Sequence, residues 1–157
     1  MDDNPPRLLL LNGPNLNMLG RRDKSQYGSF TLSDAESAAR ETAKELGYGL
    51  DAFQSNHEGA LVEAIQQAMG VYSGIVINAG AFTHYSYALH DAIELCGLPV
   101  VEVHISDIHR REAWRHVSVI LPACIGQIAG LGLDSYTEGV RRVCARIAET
   151  EQGRETL

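Results

Sequence analysis

Lysine is nearly missing from this sequence: Lys24 and Lys44 are the only two in 157 residues, and the formal net charge is -7. A phosphate backbone needs clustered cations, so a broad nucleic-acid footprint is excluded. Cysteine is scarce too. Cys96, Cys124 and Cys144 are scattered, odd in number and form no CxxC pair. They read as free thiols of a reducing cytoplasm and as small core residues. No apolar run approaches the length of a membrane span. The opening "MDDNPPR" is acidic and lacks an apolar h-region, so no secretory signal is expected. The usual cofactor and nucleophile devices are also absent. No GxGxxG follows a strand, neither lysine stands in GxxxxGK, and neither GxSxG nor HExxH occurs. There is no internal repeat.

What remains is an ordinary globular composition over a length suited to one domain, taken as residues 1–157, with 1–6 and 149–157 expected as flexible ends. Four apolar runs are bounded by turn residues: "RLLLLN" (7–12), "GLDAFQS" (49–55), "GIVINAG" (74–80) and "LPVVEVHIS" (98–106). A weaker fifth is "VSVIL" (117–121). Runs this continuous fit strands covered on both faces.

Helical patterns lie between the strands. One is expected to start at a Ser33/Glu36 capping box and to stop at Gly47. "EGALVEAIQQAMG", "YSYALHDAIELCG" and "DSYTEGVRRVCARIAE" are three more. In the second of these, Tyr85, Ala88, Leu89, Ala92, Ile93 and Cys96 recur at helical spacing as the expected core face, with Tyr87, Asp91 and Glu94 pointing away. Alternating strands and helices predict an α/β fold. The first choice is a flavodoxin-like three-layer sandwich with a five-stranded parallel sheet. Ligands of such sheets sit outside the carboxyl ends of the strands. That rule brings together the loop after Asn12, "NAGAFTH" and "HISD".

The long polar loop "NGPNLNMLGRRDKSQYG" therefore starts where an active site should be, and reads as a lid, a binding loop or a solvated surface loop. On "VVEVHIS", Glu102, His104 and Ser106 alternate and share one face, with Glu102 and His104 about 6.6 Å apart along the strand. A carboxylate beside an imidazole fixes its tautomer and favours its charged form, although a lone strand histidine is more often a core residue. Asp107 can cap the next helical turn. Arg111 and Arg115 are four apart, so one helical turn would stack them on one face. They are either a solvated pair or a clamp for a substrate carboxylate. Arg22 precedes Tyr27 by five residues. A free phenol is a poor base at neutral pH, and making it one requires about 4 kcal/mol of stabilisation of the phenolate, which close guanidinium groups can supply. Asn15 and Asn78 add amides. His104, Asp107 and His109 as metal ligands are the weaker reading, and no metal is expected. The set suits abstraction of a proton beside a carbonyl and expulsion of a hydroxyl, without metal or cofactor.

Three stretches, "NGPNLNMLGRR…YG", "NAGAFTHYSYALHDA" and "EVHISDIHRREAWRHVS", closely resemble the type II dehydroquinases, over roughly residues 8–148. The resemblance implies metal-free anti elimination of water from 3-dehydroquinate to give 3-dehydroshikimate, in shikimate biosynthesis or quinate breakdown. It implies a homododecamer built from four trimers. Residue by residue, Tyr27 matches the family's base and Arg22 the arginine that activates it. His104 matches the acid, with Glu102 behind it, and Asn15 the residue holding a water at the enolate. Asn78, His84, Ser106, Arg115 and the backbone at Ile105 match substrate-binding positions, and Arg111 a second arginine near the site. Asp91 matches an aspartate that reaches a neighbouring subunit's site. Ala79, His90, Asp107 and Trp114 depart from the commoner Pro, Arg, Asn and Phe. The competing readings are an anion-binding module without chemistry and an inactive relative kept for assembly. A binding module would need neither Tyr27 nor His104.

Overall fold

The computed structural model describes residues 4–155. Five strands, β1 (Arg7–Asn12), β2 (Gly49–Gln54), β3 (Gly74–Asn78), β4 (Val100–His104) and β5 (Gly126–Ala129), form one sheet in the order β2-β1-β3-β4-β5. Every neighbouring pair is parallel. This is the flavodoxin-like sandwich expected from the strand–helix alternation. The helices are α1 (Lys24–Tyr27), α2 (Leu32–Glu45), α3 (Glu58–Ala68), α4 (Tyr87–Cys96) and α5 (Asp134–Glu155).

The strands alternate between two cores. Leu8, Leu10, Val76 and Val101 pack with Ala35, Ala39, Val140 and Val143 of α2 and α5. Leu9, Leu11, Ile75 and Ile77 pack with Leu61, Ile65, Leu89 and Ile93 of α3 and α4. Each buried leucine of β1 contributes about 1.5–3 kcal/mol, which is why its apolar run is unbroken. Gly139 lets α5 lie close on the sheet. A Cβ there would stand 2.6 Å from Val103 Cγ1 and 3.1 Å from Val76 Cγ1.

Four expectations are corrected. The capping box of α2 is Thr31 with Asp34, not Ser33 with Glu36: Asp34 N–H donates to Thr31 Oγ1 (3.2 Å) and Thr31 N–H to Asp34 Oδ2 (2.9 Å). Thr31 has the extended backbone that a cap needs, whereas Ser33 is already helical. The fifth strand is 126–129, not 117–121. Residues 117–121 form a strap laid against α4 and the 3₁₀ turn before it, with Val119 N–H donating to Thr83 O (2.8 Å). Helix α4 begins only after its Ser86 cap, so Tyr85 lies outside it; Tyr85 and Ala88 are exposed, and Leu89, Ala92, Ile93 and Cys96 make the buried face. Helix α5 runs to Glu155, so residues 149–155, expected as a loose end, are helical. Of the expected flexible ends, residues 1–3 and 156–157 lie outside the described residues.

Candidate active site

The carboxyl ends of β1, β3 and β4 meet around a cavity of about 180 Å³. Backbone packing sets its floor. Gly13 N–H donates to Asn78 O (2.7 Å), and a Cβ on Gly13 would fall 2.4 Å from Ala79 O. Only glycine allows the loop after β1 to pass so close to the loop after β3. Tyr136 of α5 ties the same two strand ends from below. Its buried hydroxyl donates to Asn12 Oδ1 (2.7 Å) and accepts from Asn78 Nδ2 (3.0 Å), and Asn78 Oδ1 takes the Gly80 N–H (3.2 Å). Burial pushes the Tyr136 phenol far up, so it stays a neutral donor.

The loop after β1 is folded rather than loose. Leu16–Met18 make a 3₁₀ turn and Lys24–Tyr27 one turn of α1, capped by Asp23 accepting from the Ser25 N–H (2.9 Å) and hydroxyl (2.7 Å). Asn15 holds a left-handed φ of 69°, the only positive φ outside glycine among the described residues. Asparagine tolerates that region better than most side chains, and Asn15 N–H is held by Asn56 Oδ1 (3.0 Å). Leu16, Leu19 and Tyr27 dock the loop onto the α2/α5 core.

Tyr27 is buried at the end of this loop, and two guanidinium groups reach its oxygen. Arg22 Nη2 donates to Tyr27 Oη at 3.0 Å while its Cζ stacks 3.8 Å from the ring centroid. Arg111 Nη1 donates to the same oxygen at 2.5 Å and to Ser106 Oγ at 3.2 Å. The sequence put Arg22 beside Tyr27. It placed Arg111 in a stacked pair with Arg115, and the structure does not. The chain after β4 breaks into two short 3₁₀ turns, Ile108–Arg110 and Ala113–Arg115, with extended backbone at Arg111 between them. Arg111 turns to Tyr27, while Arg115 Nε binds Glu112 (2.5 Å) and lies 4.0 Å over the Trp114 ring. Both arginines still line the cavity. Asp107 does cap the first turn, accepting from His109 N–H (3.1 Å).

His104 lines the same cavity, with Glu102 behind it. His104 Nε2 and Glu102 Oε2 are 2.6 Å apart, and Glu102 is fully buried. Burial acts to raise the Glu102 carboxyl, but the hydrogen bond and charge of His104 and the donors Ser118 and Gln127 outweigh it and hold it below the usual range. His84 stacks on His104 with ring centroids 6.5 Å apart, and its Nδ1–H donates to Val117 O (2.8 Å). Burial pushes the His84 imidazole down, helped by the Arg115 charge and opposed by that hydrogen bond and by the Glu102 charge. Asn15, Asn78, Ile105 and Ser106 complete the expected lining. Asp91 does not join it. It is exposed on α4 beside Glu94 and Leu95.

Sequence reasoning missed Asn12, Tyr136, Ser118 and Gln127. Alternation along β5 was the one available signal for Gln127, and a four-residue strand opening on glycine carries little of it. His104, Asp107 and His109 do not converge. His104 turns to Glu102, His109 Nε2 faces Gln127 Oε1 (3.4 Å), and no group of three His, Cys, Asp or Glu suited to a metal occurs among the described residues.

The fold and site define a flavodoxin-like α/β protein with a polar pocket, in which a tyrosine held by arginines faces the same space as a histidine held by a carboxylate. The family profile described as "Dehydroquinase class II" matches residues 6–144. The 3-dehydroquinate dehydratase of Bacillus cytotoxicus is 50% identical over 143 residues, 91% of this chain and 98% of its own length. That of Gloeobacter violaceus is 51% identical over 150 residues, 94% of each chain. The type II dehydroquinase crystal structure from Butyrivibrio crossotus superposes with a TM-score of 0.86 at 42% identity, covering 88% of this chain and 97% of that one. The one from Propionibacterium acnes gives 0.86 at 38%, covering 90% and 98%. The chain belongs to the class II dehydroquinase family.

Proposed function

We propose that the protein is a 3-dehydroquinate dehydratase that removes water by anti elimination through an enolate. The observation that carries this reading is the paired environment of one cavity: two guanidinium donors on Tyr27 Oη and one buried carboxylate on His104. Tyr27, in its anionic form, takes the proton from the carbon beside the ketone. The electron pair moves into the carbonyl, and the enolate oxygen is met by a water held at Asn15. The C–O bond to the departing hydroxyl then breaks as His104 gives up a proton, so water and the conjugated enone, 3-dehydroshikimate, leave. Arg22 and Arg111 stabilise the negative charge on Tyr27, an electrostatic contribution paid in advance by the fold. Asn78, His84, Ser106 and the Ile105 backbone bind substrate hydroxyls and carboxylate together with Arg115. No step calls on a metal or cofactor.

Purified, chelator-treated protein mixed with dehydroquinate should generate the enone absorbance with one product per substrate consumed. No enone, or activity lost on chelation and restored by zinc, overturns the reading.

Each site is completed across a subunit interface in a homododecamer of four trimers. Exposed Trp114 on the cavity wall, with exposed Tyr85 next to cavity-lining His84 in the chain and exposed Val117 hydrogen-bonded to it, supports this as uncovered apolar surface. Asp91 then serves a neighbour's site rather than its own. Mixed trimers of Asp91→Ala and Tyr27→Phe chains should regain activity. If mixed trimers confirmed by mass show no activity above that of either parent, Asp91 is not shared. Three free thiols fit a reducing compartment, and the cytoplasm is our assignment.

A further inference from the structure

Glu102 is the only buried acid among the described residues, and three donors converge on it. Oε1 accepts from the Ser118 hydroxyl (2.6 Å), and Oε2 accepts from Gln127 Nε2 (2.5 Å) and His104 Nε2 (2.6 Å). We propose that Ser118 and Gln127 are positioning residues for the acid half of the site, holding Glu102 as a carboxylate turned to His104. The role of His104 rests on the reaction proposed above; the convergence on Glu102 does not.

Each donor makes a further contact. Ser118 Oγ accepts the Leu121 N–H (3.1 Å), which leaves its own proton for Glu102. The residues on either side of Ser118 are clamped. Val117 O takes the His84 Nδ1–H (2.8 Å), and Val119 O takes the His90 Nδ1–H (2.7 Å). The strap misread as a strand is thus fastened at both neighbours of Ser118 and delivers one hydroxyl to the back of the site. Gln127 sits on β5 in direct register with Glu102 on β4. Its Oε1 faces His109 Nε2 at 3.4 Å, which sets the amide with nitrogen toward Glu102.

This arrangement suits the carboxylate. A carboxylate has about four acceptor sites and no donor, so it can take all three hydrogen bonds. A protonated Glu102 would bring a hydrogen of its own to one of those oxygens, and would keep its partners only if Ser118 reversed its hydroxyl or His104 changed tautomer. Besides His104, the titratable groups that feel the Glu102 charge are His84 and Cys124. Neither hydrogen bonds to it.

Ser118→Ala and Gln127→Met each remove one donor, and they lie on different elements. Infrared acid titration of the ligand-free protein reads the result as the carbonyl stretch of a buried carboxylic acid, assigned by its loss in Glu102→Gln. In both variants that band should grow in about one pH unit or more above the wild-type position. Ser118→Thr, which keeps a hydroxyl, should titrate with wild type. Turnover should show the same split, with kcat down about tenfold and KM little changed. A band that grows in at the wild-type pH in both variants overturns the proposal, whatever turnover does. A shifted band in a protein that never dehydrates dehydroquinate upholds the positioning and sinks the reaction instead.

Discussion

Replacing Arg111 with alanine tests the site where the structure departs most from the sequence reading. Arg111 makes the shorter of the two guanidinium contacts to Tyr27 Oη, 2.5 Å against 3.0 Å for Arg22. It also bridges to Ser106, and its carbonyl is anchored by His116 Nε2–H (2.7 Å). Removing one preorganised donor from an oxygen that carries charge costs about 2.7–4 kcal/mol, or about 10²–10³ in kcat. Arg22 stays in place, donating to the same oxygen and stacked on the ring, so the expected loss is at the lower end, about a hundredfold. Arg111→Lys should recover part of this. A single ammonium can reach Tyr27 or Ser106 but lacks the fork that holds both, so a loss of about tenfold should remain. The assay is enone absorbance with kcat and KM measured separately, plus a thermal midpoint to show that the fold is intact. Near wild-type kcat in Arg111→Ala would refute the reasoning and leave Arg22 as the one arginine that matters to Tyr27.

The other predictions probe the base, the loop, the scaffold and pH. Tyr27→Phe removes the only oxygen on that side chain able to take the proton, so turnover should fall by several orders of magnitude while ligand affinity changes much less; activity close to wild type excludes Tyr27 as the base. Protease nicking between Arg21 and Lys24 should slow when a substrate analogue fills the cavity, and a rate indifferent to saturating ligand defeats the idea of a closing lid. Tyr136→Phe orphans buried Asn12 and Asn78, at a cost of about 2–4 kcal/mol, seen as a drop of roughly 4–16 °C in Tm; an unchanged Tm means the triad carries no stability. The Glu102 carboxyl is held below its usual range, so its contribution to stability is full above the ordinary glutamate value and is lost as pH falls through its lowered one. Urea midpoints should fall more steeply with acid in wild type than in Glu102→Gln, and parallel curves would contradict this.

Periodicity was enough to find most of the frame. "RLLLLN" and "GIVIN" read as doubly covered strands, and both faces of each are apolar and buried. The chemistry-bearing positions were legible wherever partners lie close in the chain, as with Glu102 and His104 or Arg22 and Tyr27, since strand alternation and short loops fix such pairs locally. Local rules failed where two solutions satisfy them equally. Thr31/Asp34 and Ser33/Glu36 both have capping-box spacing, and only the extended backbone at Thr31 decides. "VSVIL" has strand composition, but the His84 and His90 rings and the Thr83 backbone occupy its hydrogen-bonding groups, and the short "GQIA" takes the sheet edge instead.

Long-range convergence belonged to tertiary structure alone. Tyr136 meets Asn12 across 124 residues, Arg111 meets Tyr27 across 84, and Gln127 and Ser118 meet Glu102 across 25 and 16. No spacing rule links such pairs, because their distance is set by strand order and by how helices rest on the sheet. The sequence by itself determined the parallel sheet, the end of it that carries function, and the family. The packed fold decided which arginine meets Tyr27 most closely, which residues hold the buried carboxylate, and that Asp91 stands outside its own chain's cavity, because each of those depends on elements brought together only when two cores close on one sheet.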